Sequence, residues 1–162
     1  VIESILFWVN VQASLGIIGA HDVGGGMTIH SFGAYFGLAV SVSFSDKSSC
    51  YHPDNTSSYT SDITSLAGTL LLWILWPSFN AAVANTEAEQ SLAVINTFLS
   101  LCAATVATAI FSRILNNGKF DAVHVQGATL AGGVAMGVAG DMEAVGLYGA
   151  ILGGFAAGGV SC

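Results

Sequence analysis

An all-α, polytopic membrane helix bundle is the fold class this sequence predicts, on three observations. Apolar residues make up 53% of the chain and charged residues only 8%, where soluble domains carry roughly 25% charged residues; the mean hydropathy is +0.71. Apolar runs recur between short polar loops, each near the ~20 residues that a bilayer-spanning helix needs. The 20 glycines lie inside those runs rather than in a low-complexity tract, as membrane helices tolerate.

Six segments follow in order. The first covers residues 1–18, and it opens inside an apolar run with no initiator methionine. With the stop at Cys162 and no polar tail, this reads as a piece of a longer protein. The second, 23–44, starts behind His21 and Asp22 and passes through three glycines. The third, 63–83, holds Pro77, which removes a backbone hydrogen bond and should kink the helix near Trp73. The fourth spans 91–114, and the glycine- and alanine-rich fifth and sixth span 121–139 and 145–162. Gly33 and Gly37, Gly133 and Gly137, Gly149 and Gly153, and Gly154 and Gly158 stand four apart. Such pairs let helix backbones approach closely in lipid, here read as packing within one subunit.

The loops orient the chain. Lys47 follows the second segment, and Arg113 and Lys119 flank the loop after the fourth, so all three cations share one side. The opposite loops carry only the acids Asp22, Glu87, Glu89, Asp141 and Glu143. The positive-inside rule makes the cation side cytoplasmic. Asn55-Thr56-Ser57 matches the glycosylation sequon but lies in the loop with Lys47, so it is expected to stay unmodified.

Several function classes fall away. Three cations supply no basic stripe for nucleic acid. Cys50, Cys102 and Cys162 make no metal-ligand spacing, and Cys102 reads as a small packing residue. Neither a GxGxxG nor a phosphate-loop pattern is present, nor a nucleophile elbow or zinc motif. No enzyme, metal or cofactor is expected.

His30 is the residue that calls for an explanation. Counted from Val23 it lies ~10 Å into the second segment at 1.5 Å per residue. Ionisable residues at such depth are costly and mark pathways or bundle interiors; a ring satisfied by a neighbouring helix is the other reading. A buried imidazole is expected to be neutral, with one donor and one acceptor nitrogen. Asp22 stands where a helix N-cap belongs. Phe79 follows Pro77 and by position alone reads as packing or lipid contact. Asp62 and Asp121 stand at segment starts on the cation side, where capping is the default role. His124 lies one turn into the fifth segment.

Three blocks together resemble a known family: GGGMTIHSFGAYFGLAV, GTLLLWILWPSFNAA and KFDAVHVQGATLAGGVAMG, in that order. They are similar to the signatures of the Rhesus glycoprotein branch of the ammonium transporter family. The resemblance implies a homotrimer in the plasma membrane, with roughly eleven or twelve helices per subunit in two inverted repeats and a narrow apolar pore in each. It assigns His30 to the first of twin pore histidines and Phe79 to the outer gate. Asp22 becomes the acid that caps the same helix and shapes the substrate site, with Asn80 beside the outer vestibule. Asp62 and Asp121 fall near the cytoplasmic exit. The family usually reads QNATLAGG where this chain has Gln126-Gly127-Ala128. The partner histidine and the second gate phenylalanine lie outside these residues.

The implied activity is passage of ammonia or ammonium across the bilayer. An ammonium ion in a dry passage costs several kcal/mol without counter-charges, so deprotonation at an acidic mouth and passage as neutral ammonia is expected. Carbon dioxide, also small and neutral, is a second candidate. A non-transporting structural member that anchors partners is the rival from another class, and retention of His30 favours transport. An ammonium-sensing protein would need a signalling domain.

Overall fold

The computed structural model describes residues 1–46 and 48–162; Lys47, one of the three orienting cations, lies outside the described residues. The fold is all-α, and no strand occurs among the described residues. Helix α1 (Ile2–Val11) runs on into a π turn (Gln12–Ile17), and a second π turn (Gly26–Ser31) leads into α2 (Phe32–Phe44). Helices α3 (Tyr59–Ala81) and α4 (Glu87–Leu115) follow. The fifth segment comprises α5 (Ala122–Gly127), a 3-10 turn (Ala128–Leu130) and α6 (Ala131–Met136), before α7 (Gly146–Val160).

Local chemistry sets these boundaries. Ser58 and Ser61 form a capping box, as do Thr86 and Glu89, each satisfying orphan amides at a helix start. The first box starts α3 at Tyr59, four residues ahead of the apolar run, because serine and threonine can cap and continue a helix without being apolar. Pro77 is buried within α3, which runs on to Ala81. The second predicted segment does not begin as a continuous helix. Gly25 takes φ +69°, a left-handed conformation that glycine adopts without steric cost, and helical winding starts only at Gly26.

Gly26–Phe44, Tyr59–Ala81 and Glu87–Leu115 are long and apolar enough to cross a membrane, and Ile2–Ile17 and Gly146–Val160 are shorter apolar helices. Helix α4 is the centre of the bundle, with α7 along it and α3 and α6 on its other sides. Its buried face carries Asn96, Thr97, Ser100, Leu101, Ala104, Ala107 and Thr108, the i, i+3, i+4 recurrence of one helix side. Gly154 and Gly158 of α7 seat directly on Ser100 and Ala104; a β-carbon at Gly158 would lie 2.8 Å from Ala104 Cα. By contrast, a β-carbon at Gly33 or Gly37 would meet nothing, and α2 buries no residue.

Within the fifth segment the winding tightens to a 3-10 turn between α5 and α6, and the right-handed helical backbone is kept through it. Polar side chains of the neighbours reach its carbonyls. Ser100 Oγ donates to Gly132 O at 2.8 Å and Asn96 Nδ2 to Gly140 O at 2.8 Å. Such pairing is what permits irregular backbone at membrane depth.

Candidate functional site

The site is built on the segment from Asp22 to His30. Asp22 Oδ2 accepts from the Thr28 N–H at 2.7 Å and the Thr28 hydroxyl at 2.7 Å, and Oδ1 accepts from the Met27 N–H at 3.1 Å. The carboxylate thus satisfies first-turn amides of the π turn, but the N-cap position itself falls to Gly25 and not to Asp22 as its place in the sequence predicts, because the left-handed Gly25 delays the start of the winding. His30 N–H donates to Gly25 O at 3.0 Å, the i to i−5 bond that widens this turn. The widened turn is seated on the end of α6. Gly24 N–H donates to Gly137 O at 2.6 Å, and a β-carbon on Gly137 would stand 2.9 Å from Gly26 N. The glycine run therefore serves close backbone contact between the two elements.

The His30 ring projects towards α3. It lies 5.4 Å from the Trp76 ring and 5.8 Å from the Phe79 ring, centroid to centroid. These three side chains, with Leu72 and Leu75, line a cavity of about 280 Å³. His30 Nε2 is buried and has no hydrogen-bond partner among the described residues. The Trp76 indole Nε1 is likewise buried and without a partner among the described residues. Two such nitrogens in an otherwise apolar, aromatic lining suit a small uncharged guest better than a hydrated ion.

Phe79 is thus brought to His30, whereas Asn80, Asp62 and Asp121 stand elsewhere. Asn80 is fully buried and outside this cavity; its Nδ2 donates to Gly133 O at 2.9 Å and to Thr97 Oγ1 at 3.0 Å, joining α3, α6 and α4. Asp62 Oδ1 accepts from Gln126 Nε2 at 3.3 Å, at the far end of α3. Asp121 caps α5 through the Val123 N–H at 2.8 Å. Its own N–H donates to Ser112 Oγ at 3.0 Å, and His124 Nδ1 lies 3.1 Å from that hydroxyl. Gly127, the departure in the third block, faces open space where a side chain would fit.

Sequence reasoning missed Trp76. Its signal was present in the spacing of Leu72, Leu75, Trp76 and Phe79, a 3.6-residue stripe inside a run so apolar that no stripe stood out. The Trp76 ring rests on Gly133, where a β-carbon would come within 2.7 Å of it. Gly133 and Gly137 therefore seat the two sides of the site, the first under Trp76 and the second under the π turn.

A family model described as Ammonium Transporter Family matches residues 1–162. The chain belongs to the ammonium transporter family. It is 48% identical over 162 residues to the ammonium transporter Rh type B of Xenopus tropicalis, covering 99% of this chain and 35% of that protein. It is 45% identical over 163 residues to the Rh type A transporter of Mus musculus, covering 99% of this chain and 37% of the relative. The solved structure of Rh50 from Nitrosomonas europaea, of the Rhesus protein family of channels, superposes with a TM-score of 0.88 at 36% identity. That match covers 95% of this chain and 41% of the other. The chain therefore spans about a third of the length of the Rh type A and B relatives, and it is a multi-pass membrane protein of the Rh type. These relatives are transporters and channels, not enzymes.

Proposed function

We propose that the protein conducts ammonia through a passage partly lined by His30, Trp76 and Phe79. The observation that carries this reading is the buried Nε2 of His30, which like the Trp76 Nε1 has no partner among the described residues, at a cavity otherwise lined by apolar groups. A dry passage of this kind penalises ammonium by several kcal/mol and admits neutral ammonia. Ammonium gathers at the acidic end of the fold, leaves its proton there, and crosses as ammonia past the imidazole. Asp22 acts in this scheme by its charge, since its oxygens are engaged by the turn. Asn80 holds the walls of the outer vestibule together, and Asp62 and Asp121 mark the cytoplasmic exit. Carbon dioxide is a second guest of the same passage. The working unit is a homotrimer in the plasma membrane, and the six apolar segments are its spans in this part of the chain, with the cation-bearing loops inside the cell.

Uptake of ammonia or methylammonium by the full-length protein tests this, with His30→Ala alongside. Uptake above the vector control is expected for the parent, falling by about an order of magnitude in the variant if the buried imidazole marks the path. Should parent and variant both match the control while reaching the membrane, the protein is a structural member of the family instead.

A further inference from the structure

His21 has no role above, and Asp141 figures only among the acids of the loops opposite the cations. His21 Nε2 lies 2.8 Å from Asp141 Oδ1, across 120 positions of sequence. The Asp141 side chain is 5% exposed and the His21 ring 50%. A carboxylate only accepts, so Nε2 carries the hydrogen whichever charge the ring bears. A carboxylate this deeply covered is costly without such a donor.

The position of the pair gives it a task. The helix pair α1–α2 meets the rest of the described chain chiefly where the π turn touches α6. His21 immediately precedes Asp22, whose carboxylate satisfies amides of that turn, and Asp141 lies just beyond the end of α6. The bond from Gly24 N–H to Gly137 O makes a second link between the same two places. Nothing but the capped turn separates these anchors from His30.

We propose that His21 and Asp141 form a positioning clamp. It fixes the register of the 22–30 segment on α6 and so holds the His30 ring against Trp76 and Phe79. Its effect on selectivity rests on the ammonia reading; its effect on the segment does not.

The test uses the full-length protein with His21→Ala and His21→Gln. Amide exchange at Met27, Thr28 and His30 is read beside the ratio of ammonia to methylammonium uptake, a ratio that does not depend on how much protein reaches the membrane. In His21→Ala the buried carboxylate loses its donor, so exchange in the turn is expected to rise about tenfold while α4 is unchanged. The uptake ratio is expected to move about threefold, since small displacements at a passage change discrimination. Gln keeps an N–H for Asp141 and should restore both within about twofold. If His21→Ala does not reach the membrane, the double variant His21→Leu with Asp141→Leu takes its place, because it leaves no unpaired buried charge. Parental exchange and ratio in the variant lacking the pair would overturn the clamp. So would His21→Gln behaving like His21→Ala, which would give the imidazole itself the role. If the parent conducts neither amine, the ammonia reading fails and the exchange measurement alone decides the clamp.

Discussion

Asp22 and His30 show how two chemistry-bearing residues divide the work at the residue scale. Asp22 organises backbone, accepting from two amides and a hydroxyl, while His30 keeps a nitrogen without a partner among the described residues. Asp22→Ala is expected to cost about 1–2 kcal/mol, the worth of a lost cap, read as a lower melting temperature of the purified protein. Asp22→Asn keeps one accepting oxygen and should lose less than half of that. His30 stood out in the sequence as an imidazole in an apolar run, with a pathway and a ring satisfied by a neighbouring helix both open by position until the family resemblance chose between them. Trp76 did not stand out, because one aromatic among leucines and isoleucines carries no mark of its neighbour. The His21–Asp141 contact was illegible for another reason: nothing in either residue's local sequence points to a partner 120 positions away.

At the scale of elements, the stability of the bundle is concentrated along α4. Its small and polar residues allow α7 to approach until Gly154 and Gly158 meet the α4 backbone at Ser100 and Ala104, with the Ser100 hydroxyl also against Gly154. Gly154→Val should therefore destabilise by about 1–3 kcal/mol, since overpacking against a helix backbone cannot be relieved by rotating a side chain; thermal unfolding in detergent measures it. Gly68→Ala in α3 is the control, because its β-carbon would meet nothing and alanine favours helix by up to about 1 kcal/mol. Four-residue glycine spacing was plain in the sequence. Which pairs carry contacts was not: Gly154 and Gly158 are seated on α4, whereas Gly33 and Gly37 are open. The 3-10 turn between α5 and α6 was hidden as well, since alanine and glycine fit a continuous α-helix equally well by composition.

For the molecule as a whole, α2 and α3 present long apolar faces outward: Tyr35, Leu38 and Val42 on the one, Leu70, Leu71 and Ile74 on the other. Such faces suit lipid or the helices of a larger assembly, in keeping with a chain that spans a third of its relatives' length. The proposed orientation makes a direct prediction. Asn55 should carry no glycan in cells that glycosylate, so glycosidase treatment leaves the mobility of the full-length protein unchanged at this site. A mobility shift that Asn55→Gln abolishes would reverse the topology.

What the sequence determined by itself was the solvent and the class of chemistry. Hydropathy and the scarcity of charge select a bilayer and an all-helical fold, because unsatisfied backbone is too costly in lipid for any open alternative. Three ordered motifs select the family. Tertiary structure alone decided which side chains meet: His30 with Trp76 and Phe79, Asn80 with Gly133, His21 with Asp141. Helical periodicity says which face a residue occupies, but the partner of that face is set by long-range packing between segments that local sequence does not encode.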